Sequence, residues 1–261
     1  MAEQAVILSF YRIMKQLFLV VFSCFLLLSC QTSKHSGIIA HRGYWNTEGS
    51  HENSLSSLKN AMALGVYGSE CDVRQTKDGV LVLFHNSRLD DGRAVAELNF
   101  EQLTDYRLPN GEAVPTFDEI LRLMQSAPKG FKLIIEVKEA DVRKIVEAVE
   151  RFGLQKSVEY IAFGRNHCLD LIALDKDLKV SYLAANEKNA WSPKELKDKG
   201  FYGLDYSASL LRARPEWVKE AHKLGLDVNV WTVNKSEDIE FFYKLGVDKV
   251  TTDIPAVYKR K

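Results

Sequence analysis

The sequence has no excess of charge of either sign, few cysteines and no segment of low complexity. Its 35 basic and 35 acidic residues balance, so we expect no nucleic-acid partner bound through a basic surface. The 4 cysteines give no basis for a disulfide framework. No interior stretch rich in proline, glycine or serine divides the chain. An apolar content of 46% over 261 residues therefore predicts one large globular domain.

Only one long apolar run is present, from Leu17 to Leu28, and it follows the basic residues Arg12 and Lys15. It is too short to cross a bilayer comfortably and is typical of a secretory signal. Leu27-Leu28-Ser29-Cys30 resembles the bacterial lipobox. That resemblance implies a lipoprotein signal peptide over residues 1–29, a lipid anchor on Cys30 and a short tether over 30–37.

The resulting expectation is an exported bacterial lipoprotein on the periplasmic or cell-surface side of a membrane. A plain signal peptide and an uncleaved anchor remain the alternatives.

From Gly65 onward the sequence repeats an amphipathic helix, a glycine and a short apolar strand. Glycine at a helix end is typical of a left-handed C-cap. Alternating strands and helices predict a parallel sheet, and eight such units favour an α/β fold of the (β/α)₈ TIM-barrel type over residues 38–261. An open doubly wound sheet is the alternative, although Ala40-His41-Arg42-Gly43 is not the glycine-rich loop that usually follows its first strand. The predicted core strands are 38–41, 68–73, 132–137, 158–163, 179–183, 203–206, 227–232 and 249–252.

One long segment, at about 86–130, interrupts the regular spacing between the second and third strands. We interpret it as an insertion that forms an elaborated loop over the barrel mouth, with a helix from Phe117 to Met124. Barrel enzymes vary their chemistry through such loops, so its predicted role is substrate selection.

A hairpin extension of the second strand is predicted at Asp78-Gly79, a strong signal for a two-residue turn. That register places Asp72 directly opposite His85. Because strand side chains alternate, Glu70 and Asp72 share a face, and His85 joins them. Two carboxylates and an imidazole are thus brought together.

Cys71 lies between these two carboxylates in sequence, so it is expected to point into the packing on the other face. A disulfide between Cys71 and Cys168 is left open.

His41 and Arg42 end the first predicted strand, Glu136 and Lys138 end the third, and Trp231 is near the end of the seventh. All therefore point to the same mouth as Glu70 and Asp72. Three buried carboxylates without thiolates favour one hard divalent cation, Ca²⁺ or Mg²⁺. Such a cation would offset their mutual repulsion and bind a phosphate oxygen. Two histidines can exchange the protons that phosphodiester cleavage requires. The candidate residues are Glu70, Asp72 and Glu136 for the metal, His41 and His85 for proton transfer, Arg42 and Lys138 for phosphate, and Trp231 for the substrate.

Eight ordered blocks resemble the signatures of the glycerophosphodiester phosphodiesterase family. They are His41-Arg42-Gly43, Glu52-Asn53-Ser54, Glu70-Cys71-Asp72-Val73, Thr76-Lys77-Asp78-Gly79, His85-Asn86, Ile135-Glu136-Val137-Lys138, Trp231-Thr232-Val233-Asn234 and Thr251-Thr252-Asp253-Ile254-Pro255. The resemblance implies a barrel of the phosphatidylinositol phospholipase C type that is dependent on Ca²⁺ or Mg²⁺. It also implies hydrolysis of small glycerophosphodiesters to glycerol 3-phosphate and an alcohol, with the residue roles given above. Two positions depart from the family pattern, since Asn86 replaces the usual aspartate and Ser54 the usual threonine.

Several alternatives remain open at this stage. Arg42 and Lys138 could form structural ion pairs, and Trp231 could be ordinary core packing. Glu52 and Asn53 could cap the first helix or support the metal site. The substrate could instead be a lysophospholipid, phosphatidylinositol or an envelope glycerol-phosphate polymer. A non-catalytic lipoprotein that binds phosphorylated ligands is a further alternative.

Overall fold

A computed structural model describes residues 37–258, so the predicted signal peptide and residues 30–36 of the tether lie outside the described chain.

The barrel closes through its first strand. Strand β1 pairs in parallel with both β2 and β9. This closure confirms the (β/α)₈ barrel and excludes the open doubly wound sheet. The strands are β1 (Ile38–Ala40), β2 (Gly68–Gln75), β3 (Leu81–Leu83), β4 (Lys132–Val137), β5 (Val158–Ala162), β6 (Val180–Ala184), β7 (Gly203–Ser207), β8 (Asp227–Trp231) and β9 (Lys249–Thr252).

Helices cover the outside of the barrel. Their buried apolar side chains pack against the outward faces of the strands in one continuous core, while Ile39, Ile134, Ile161 and Leu183 form a smaller cluster. Within 37–258, no helix is both long and apolar enough to cross a bilayer. The helices are α1 (Leu55–Leu64), α2 (Phe100–Leu103), α3 (Phe117–Met124), α4 (Val142–Arg151), α5 (Arg165–Leu174), α6 (Pro193–Asp198), α7 (Ala208–Ala213), α8 (Glu216–Lys223) and α9 (Ser236–Leu245), with short 3-10 turns at Val95–Glu97, Gln155–Ser157 and Pro255–Tyr258.

The hairpin extension is present, because β3 pairs antiparallel with β2, but its predicted two-residue turn is wrong. The amide of Thr76 donates to Val80 O, which leaves a three-residue loop over residues 77–79, and Gly79 has a φ of +88°. The Thr76 side chain explains the longer loop. Its hydroxyl donates to Asp78 Oδ1 at 2.6 Å and accepts from the Val80 amide at 2.9 Å. A turn with a left-handed glycine bulge is thereby favoured over the shorter one.

The long segment after β3 divides into two parts. Its first part has a small core of its own, in which Leu89, Val95, Leu98 and Leu103 are buried together with Phe84. Its last part, α3, buries its apolar face in the main core instead. The predicted helix has the predicted bounds, but it belongs to the helical layer and not to a loop over the mouth. The irregular part of the insertion therefore ends before Phe117.

Candidate active site at the barrel mouth

Three carboxylates converge where β2 and β4 run side by side. Asp72 lies directly opposite Glu136 in the parallel ladder, and Glu70 lies two residues earlier on β2. Cys71 alternates with them and is buried in the main core, as predicted. One oxygen from each carboxylate lies within 4.8 Å of one from each of the others. The three predicted metal-ligand residues therefore form one cluster.

The cluster has the electrostatic character of a cation site. Glu70 is 3% exposed, and its Oε1 is buried without a hydrogen-bond partner. Burial, together with the charges of Asp72 and Glu136, raises the pKa of Glu70 well above its ordinary value. Burial and Asp72 also raise the pKa of Glu136 to about 7, although Lys138 opposes this effect. A hard divalent cation would favour the ionised form of each group, so the donor set fits Ca²⁺ or Mg²⁺.

Lys138 and Arg42 bring positive charge to the same carboxylates. Lys138 Nζ lies 2.5 Å from Glu136 Oε1 and 3.2 Å from Asp72 Oδ1. Arg42 Nη1 donates to Glu52 Oε2 at 2.7 Å, and Arg42 Nε lies 3.5 Å from Asp72 Oδ2. For Asp72, burial alone would raise the pKa, but Lys138, Asn53, His85 and Arg42 together lower it. Lys138 and Arg42 thus form the ion pairs that the sequence left open for them. Both residues are also the ones predicted to contact the phosphate.

The loop after β1 is shaped to hold this cluster. Arg42 and Asn53 are both in the left-handed region, with φ of +55° and +56°. The conformation of Arg42 lets its amide donate to Glu70 Oε2 at 2.8 Å. Asn53 Nδ2 donates to Asp72 Oδ2 at 2.8 Å, and Asn53 Oδ1 accepts from the Asp72 amide at 3.0 Å. Since Ser54 caps α1, Asn53 supports the carboxylates and not the helix end.

His41 follows β1 and is held from behind by an acidic residue. Its Nδ1 lies 2.7 Å from Asp253 Oδ1. Asn234 fixes Asp253 in turn, because Asn234 Oδ1 accepts from the Asp253 amide at 2.9 Å and Asn234 Nδ2 donates to Asp253 Oδ2. Burial would raise the pKa of Asp253, but the hydrogen bond and charge of His41 lower it, assisted by Asn234. With Nδ1 engaged, Nε2 is the ring nitrogen left for the cavity.

His85 reaches the cavity by a different route from the one predicted. In the observed register the Phe84 amide donates to Asp72 O at 3.1 Å, so strand alternation would turn His85 away from Asp72. Strand β3 ends at Leu83, however, and alternation ends with it. Arg74 holds the departing chain, donating from Nη2 to His85 O at 2.7 Å. The His85 ring then lines the same cavity as Glu70.

The second histidine differs from the first in its partner. His85 Nδ1 lies 2.9 Å from the amide oxygen of Asn86, the residue that departs from the family pattern. Burial lowers the pKa of His85, and the charges of Arg42 and Lys138 act in the same direction, whereas Asp72 opposes them. A protonated His85 imidazole therefore gives up its proton more readily than an unperturbed histidine does.

A cavity of about 110 Å³ joins these groups, with His41, Arg42, Glu70, His85, Glu136 and Lys138 among its lining residues. Trp231 and Phe163 form an apolar side of this cavity, their rings packed edge to face at 5.4 Å. The Trp231 indole donates to Asp205 O at 2.8 Å. Phe163 is 45% exposed. Trp231 is thus positioned by a hydrogen bond at the cavity and is not enclosed in the core.

Fold and site together define a class: a closed (β/α)₈ barrel whose mouth holds a carboxylate cluster between two histidines. Residues 41–257 match the model of the glycerophosphoryl diester phosphodiesterase family. The chain belongs to this family and is a phosphodiesterase.

Individual relatives support the assignment over most of the chain. A glycerophosphodiester phosphodiesterase structure from Parabacteroides distasonis is 40% identical, covers 84% of this chain and 93% of its own, and has a TM-score of 0.79. The glycerophosphodiester phosphodiesterase of Caldanaerobacter subterraneus is 28% identical over 84% of this chain and 94% of its own length. A phosphodiesterase from Oleispira antarctica, solved with the product sn-glycerol-3-phosphate, has the same fold, with a TM-score of 0.76 at 23% identity, covering 85% of this chain and 94% of its own.

The structure adds residues to which sequence reasoning gave no role. Asp253 and Asn234 belong to recognised blocks, but nothing in their spacing places them behind His41. Arg74 lies two residues after Asp72 on β2, so alternation placed it on the same face but did not indicate its acceptors. Cys71 and Cys168 are both buried and free, so the disulfide left open by the sequence is not formed.

Proposed function

We propose that this phosphodiesterase hydrolyses glycerophosphodiesters to glycerol 3-phosphate and an alcohol, with a divalent cation and two histidines. The family and the names of its relatives support the substrate class. The observation that carries the mechanism is the presence of His41, His85, Glu70 and Glu136 around one cavity.

Glu70, Asp72 and Glu136 would hold the cation. Ca²⁺ and Mg²⁺ are the candidates, and when bound the ion supplies positive charge against the phosphoryl oxygens. Lys138 and Arg42 already lie beside these carboxylates, and they orient the phosphodiester by charge-assisted hydrogen bonds. Asn53 and the Arg42 amide keep the carboxylates in place.

Proton transfer is assigned to the two histidines. His41 Nε2 takes the proton from the nucleophile, which is water or the neighbouring glycerol hydroxyl, and Asp253 stabilises the resulting imidazolium. Where the hydroxyl attacks, water then opens the cyclic phosphodiester that forms and so yields glycerol 3-phosphate. His85 gives its proton to the leaving alcohol, and the lowered pKa of His85 favours that transfer. Each such role typically contributes about 10²- to 10⁴-fold in rate.

We further propose that the protein is a lipoprotein anchored through Cys30. The apolar run from Leu17 to Leu28 and the following Ser29-Cys30 support this proposal. Mass spectrometry of the mature chain tests it, because a lipidated N-terminal Cys30 is expected. A mature chain that begins elsewhere, or an unmodified Cys30, would contradict it.

The catalytic proposal is tested by the release of glycerol 3-phosphate from glycerophosphocholine and glycerophosphoethanolamine. His41→Ala and His85→Ala are each expected to lose at least about 10²-fold in kcat while keeping the thermal stability of the parent. His222→Ala is the matched control, because His222 lies on the outside and pairs with Asp248. Near-parental turnover in either of the first two variants would refute the proton-transfer assignment.

The metal is tested separately. EDTA should abolish turnover, and Ca²⁺ or Mg²⁺ should restore it. Added cation should also raise the melting temperature of the parent but not that of Glu70→Gln, since a removed charge weakens the site. Full turnover in EDTA would refute the role of the cation.

A further inference from the structure

The chain reaches the barrel at the end opposite to the catalytic mouth. Strand β1 begins beside Gly37 and ends before His41. The Gly37 carbonyl accepts from the Val250 amide at 2.9 Å, and a Cβ on Gly37 would meet Asp248 O at 2.0 Å. The backbone at Gly37 is thus held tightly against the start of β9. In a parallel barrel every strand starts at one end and finishes at the other, so Gly37 lies at the end opposite to the cavity.

The tether is too short to bring Cys30 level with the mouth. From Cys30 to Gly37 the chain spans seven residues and reaches roughly 25 Å at full extension. To lie level with the mouth, Cys30 would have to pass outward beyond a helical layer about 10 Å thick, then along helices about 15 Å long, and finally past the loops above them. That path exceeds the reach of the tether.

The two ends of the barrel also differ in the charge of their exposed residues. The irregular segment between β3 and α3 lies on the mouth side, because the Lys77 amide after β2 donates to Leu98 O and Asn110 Nδ2 donates to Gly49 O in the loop after β1. It contains six carboxylates and three arginines over residues 86–116. At the opposite end, the loops that lead into the strands carry five exposed lysines against three exposed aspartates. One of the aspartates, Asp248, pairs with His222, and one of the lysines, Lys179, lies 3.9 Å from Glu159 Oε1. A surface of anionic lipid headgroups attracts lysines and repels carboxylates. The five lysines are Lys129, Lys156, Lys176, Lys179 and Lys199.

We propose that the barrel stands on an anionic bilayer by its tether end, with its catalytic mouth facing the solution. The substrate is then a water-soluble, deacylated glycerophosphodiester and not a phospholipid or lysophospholipid embedded in the same membrane. This inference rests on the proposed function and on the lipidation of Cys30, and it selects among the substrates that the sequence left open.

The orientation is tested by energy transfer, without reference to activity. Lys176→Cys places a single reactive thiol at the tether end, and Asp105→Cys places one on the mouth side. Both original positions are exposed, whereas Cys71 and Cys168 are buried. Each full-length lipidated variant is labelled with a donor dye and bound to phosphatidylglycerol vesicles that contain an acceptor on the headgroup. Transfer should be stronger from position 176. Equal transfer, or stronger transfer from position 105, would overturn the proposed orientation.

The consequence for the substrate is tested on the same vesicles. Glycerophosphoethanolamine in solution should be cleaved at least about tenfold faster than lysophosphatidylethanolamine embedded in the bilayer, because a short tether keeps the effective concentration of the mouth at the lipid surface low. Comparable rates would overturn the inference. If neither compound is cleaved while position 176 remains nearer the lipid, the proposed function fails and the orientation stands.

A lengthened tether is the matched variant. About thirty glycine and serine residues inserted between Ser33 and Lys34 span roughly 30 Å as a flexible coil and can reach further. Turnover of the soluble diester should be unchanged, and the relative rate on the embedded lysophospholipid should rise. An unchanged ratio would assign the selectivity to the cavity and overturn the role of the tether.

Discussion

Replacement of Asp253 by asparagine should move the proton of the neutral His41 ring from Nδ1 to Nε2, because neighbouring hydrogen bonds fix the orientation of the new amide. Asn234 Oδ1 accepts from the Asp253 amide at 2.9 Å, so the other side-chain atom of Asn234 must be the donor that faces Asp253. In Asp253→Asn the new amide oxygen turns toward that donor, and the new NH₂ group turns toward His41 Nδ1. The imidazole must then accept at Nδ1 and carry its proton on Nε2.

A histidine protonated at Nε2 cannot accept the proton of the nucleophile from the cavity. Under the proposed mechanism the variant therefore loses the general-base contribution, about 10²- to 10⁴-fold in kcat, or roughly 3–5 kcal/mol at 1.36 kcal/mol per decade. The shape of the side chain is almost unchanged, and neither Asp253 nor Asn234 lines the cavity. We therefore expect little change in KM or thermal stability.

The double variant Asp253→Asn with Asn234→Asp supplies a test that a merely structural role would not meet. The carboxylate at position 234 still accepts from the backbone amide of residue 253 and now also accepts from the new NH₂ group. The amide oxygen at position 253 is then free to accept from His41 Nδ1, which restores the productive tautomer. Steady-state kinetics should show recovery of at least about tenfold in kcat over the single variant. A single variant within threefold of the parent, or a double variant without recovery, would refute this account.

Two further predictions concern buried groups. Burial raises the pKa of Asp205 to about 7 against an ordinary value of 3.8. The protonated form is therefore favoured in the fold, and stability that is complete below pH 4 is lost as the pH rises through 7. Asp205→Asn keeps an acceptor for Asn229. Urea unfolding should therefore show the variant to be more stable than the parent by about 3–4 kcal/mol at pH 8 and nearly equal to it at pH 4. Equal stability of variant and parent at both pH values would contradict this. Burial raises the pKa of Cys168 to about 12, and burial together with the charges of Glu70, Asp72 and Glu136 raises the pKa of Cys71 well above its ordinary value. Neither thiol should react with maleimide until the protein unfolds, as peptide mass spectrometry can show, and labelling of either in the native state would contradict their burial.

Much of the barrel follows from local patterns in the sequence. The strands at Lys132–Val137 and Lys249–Thr252 have the predicted bounds at both ends. Gly65 and Gly246 end α1 and α9 in the left-handed conformation expected of a C-cap. These features depend on neighbouring residues, and for that reason a single sequence can indicate them.

The hairpin register shows where local patterns fail. Asp78-Gly79 favours a two-residue loop, but the hydroxyl of Thr76 bonds on both sides of the turn and stabilises a longer one. A shift of one residue reverses every side chain on a strand. The predicted position of His85 at the mouth agrees with the structure because β3 ends before His85, and not because of the predicted register. Strand ends are set by tertiary contacts such as those of Arg74, which no short window of sequence contains.

The partners of the two histidines depend on tertiary structure in the same way, and they give a physical reason for the proposed direction of proton transfer. His41 has a carboxylate behind it, 212 positions away in the chain, and Asp253 stabilises a positive imidazolium by its full charge. His85 has only the neutral amide of Asn86, and both burial and two nearby cations lower the pKa of His85. A base is helped by a partner that stabilises the imidazolium it becomes, whereas a histidine with a lowered pKa gives up its proton readily once it holds one. The replacement of the family's aspartate by Asn86 therefore strengthens the difference between the two histidines, which favours His41 as base and His85 as acid.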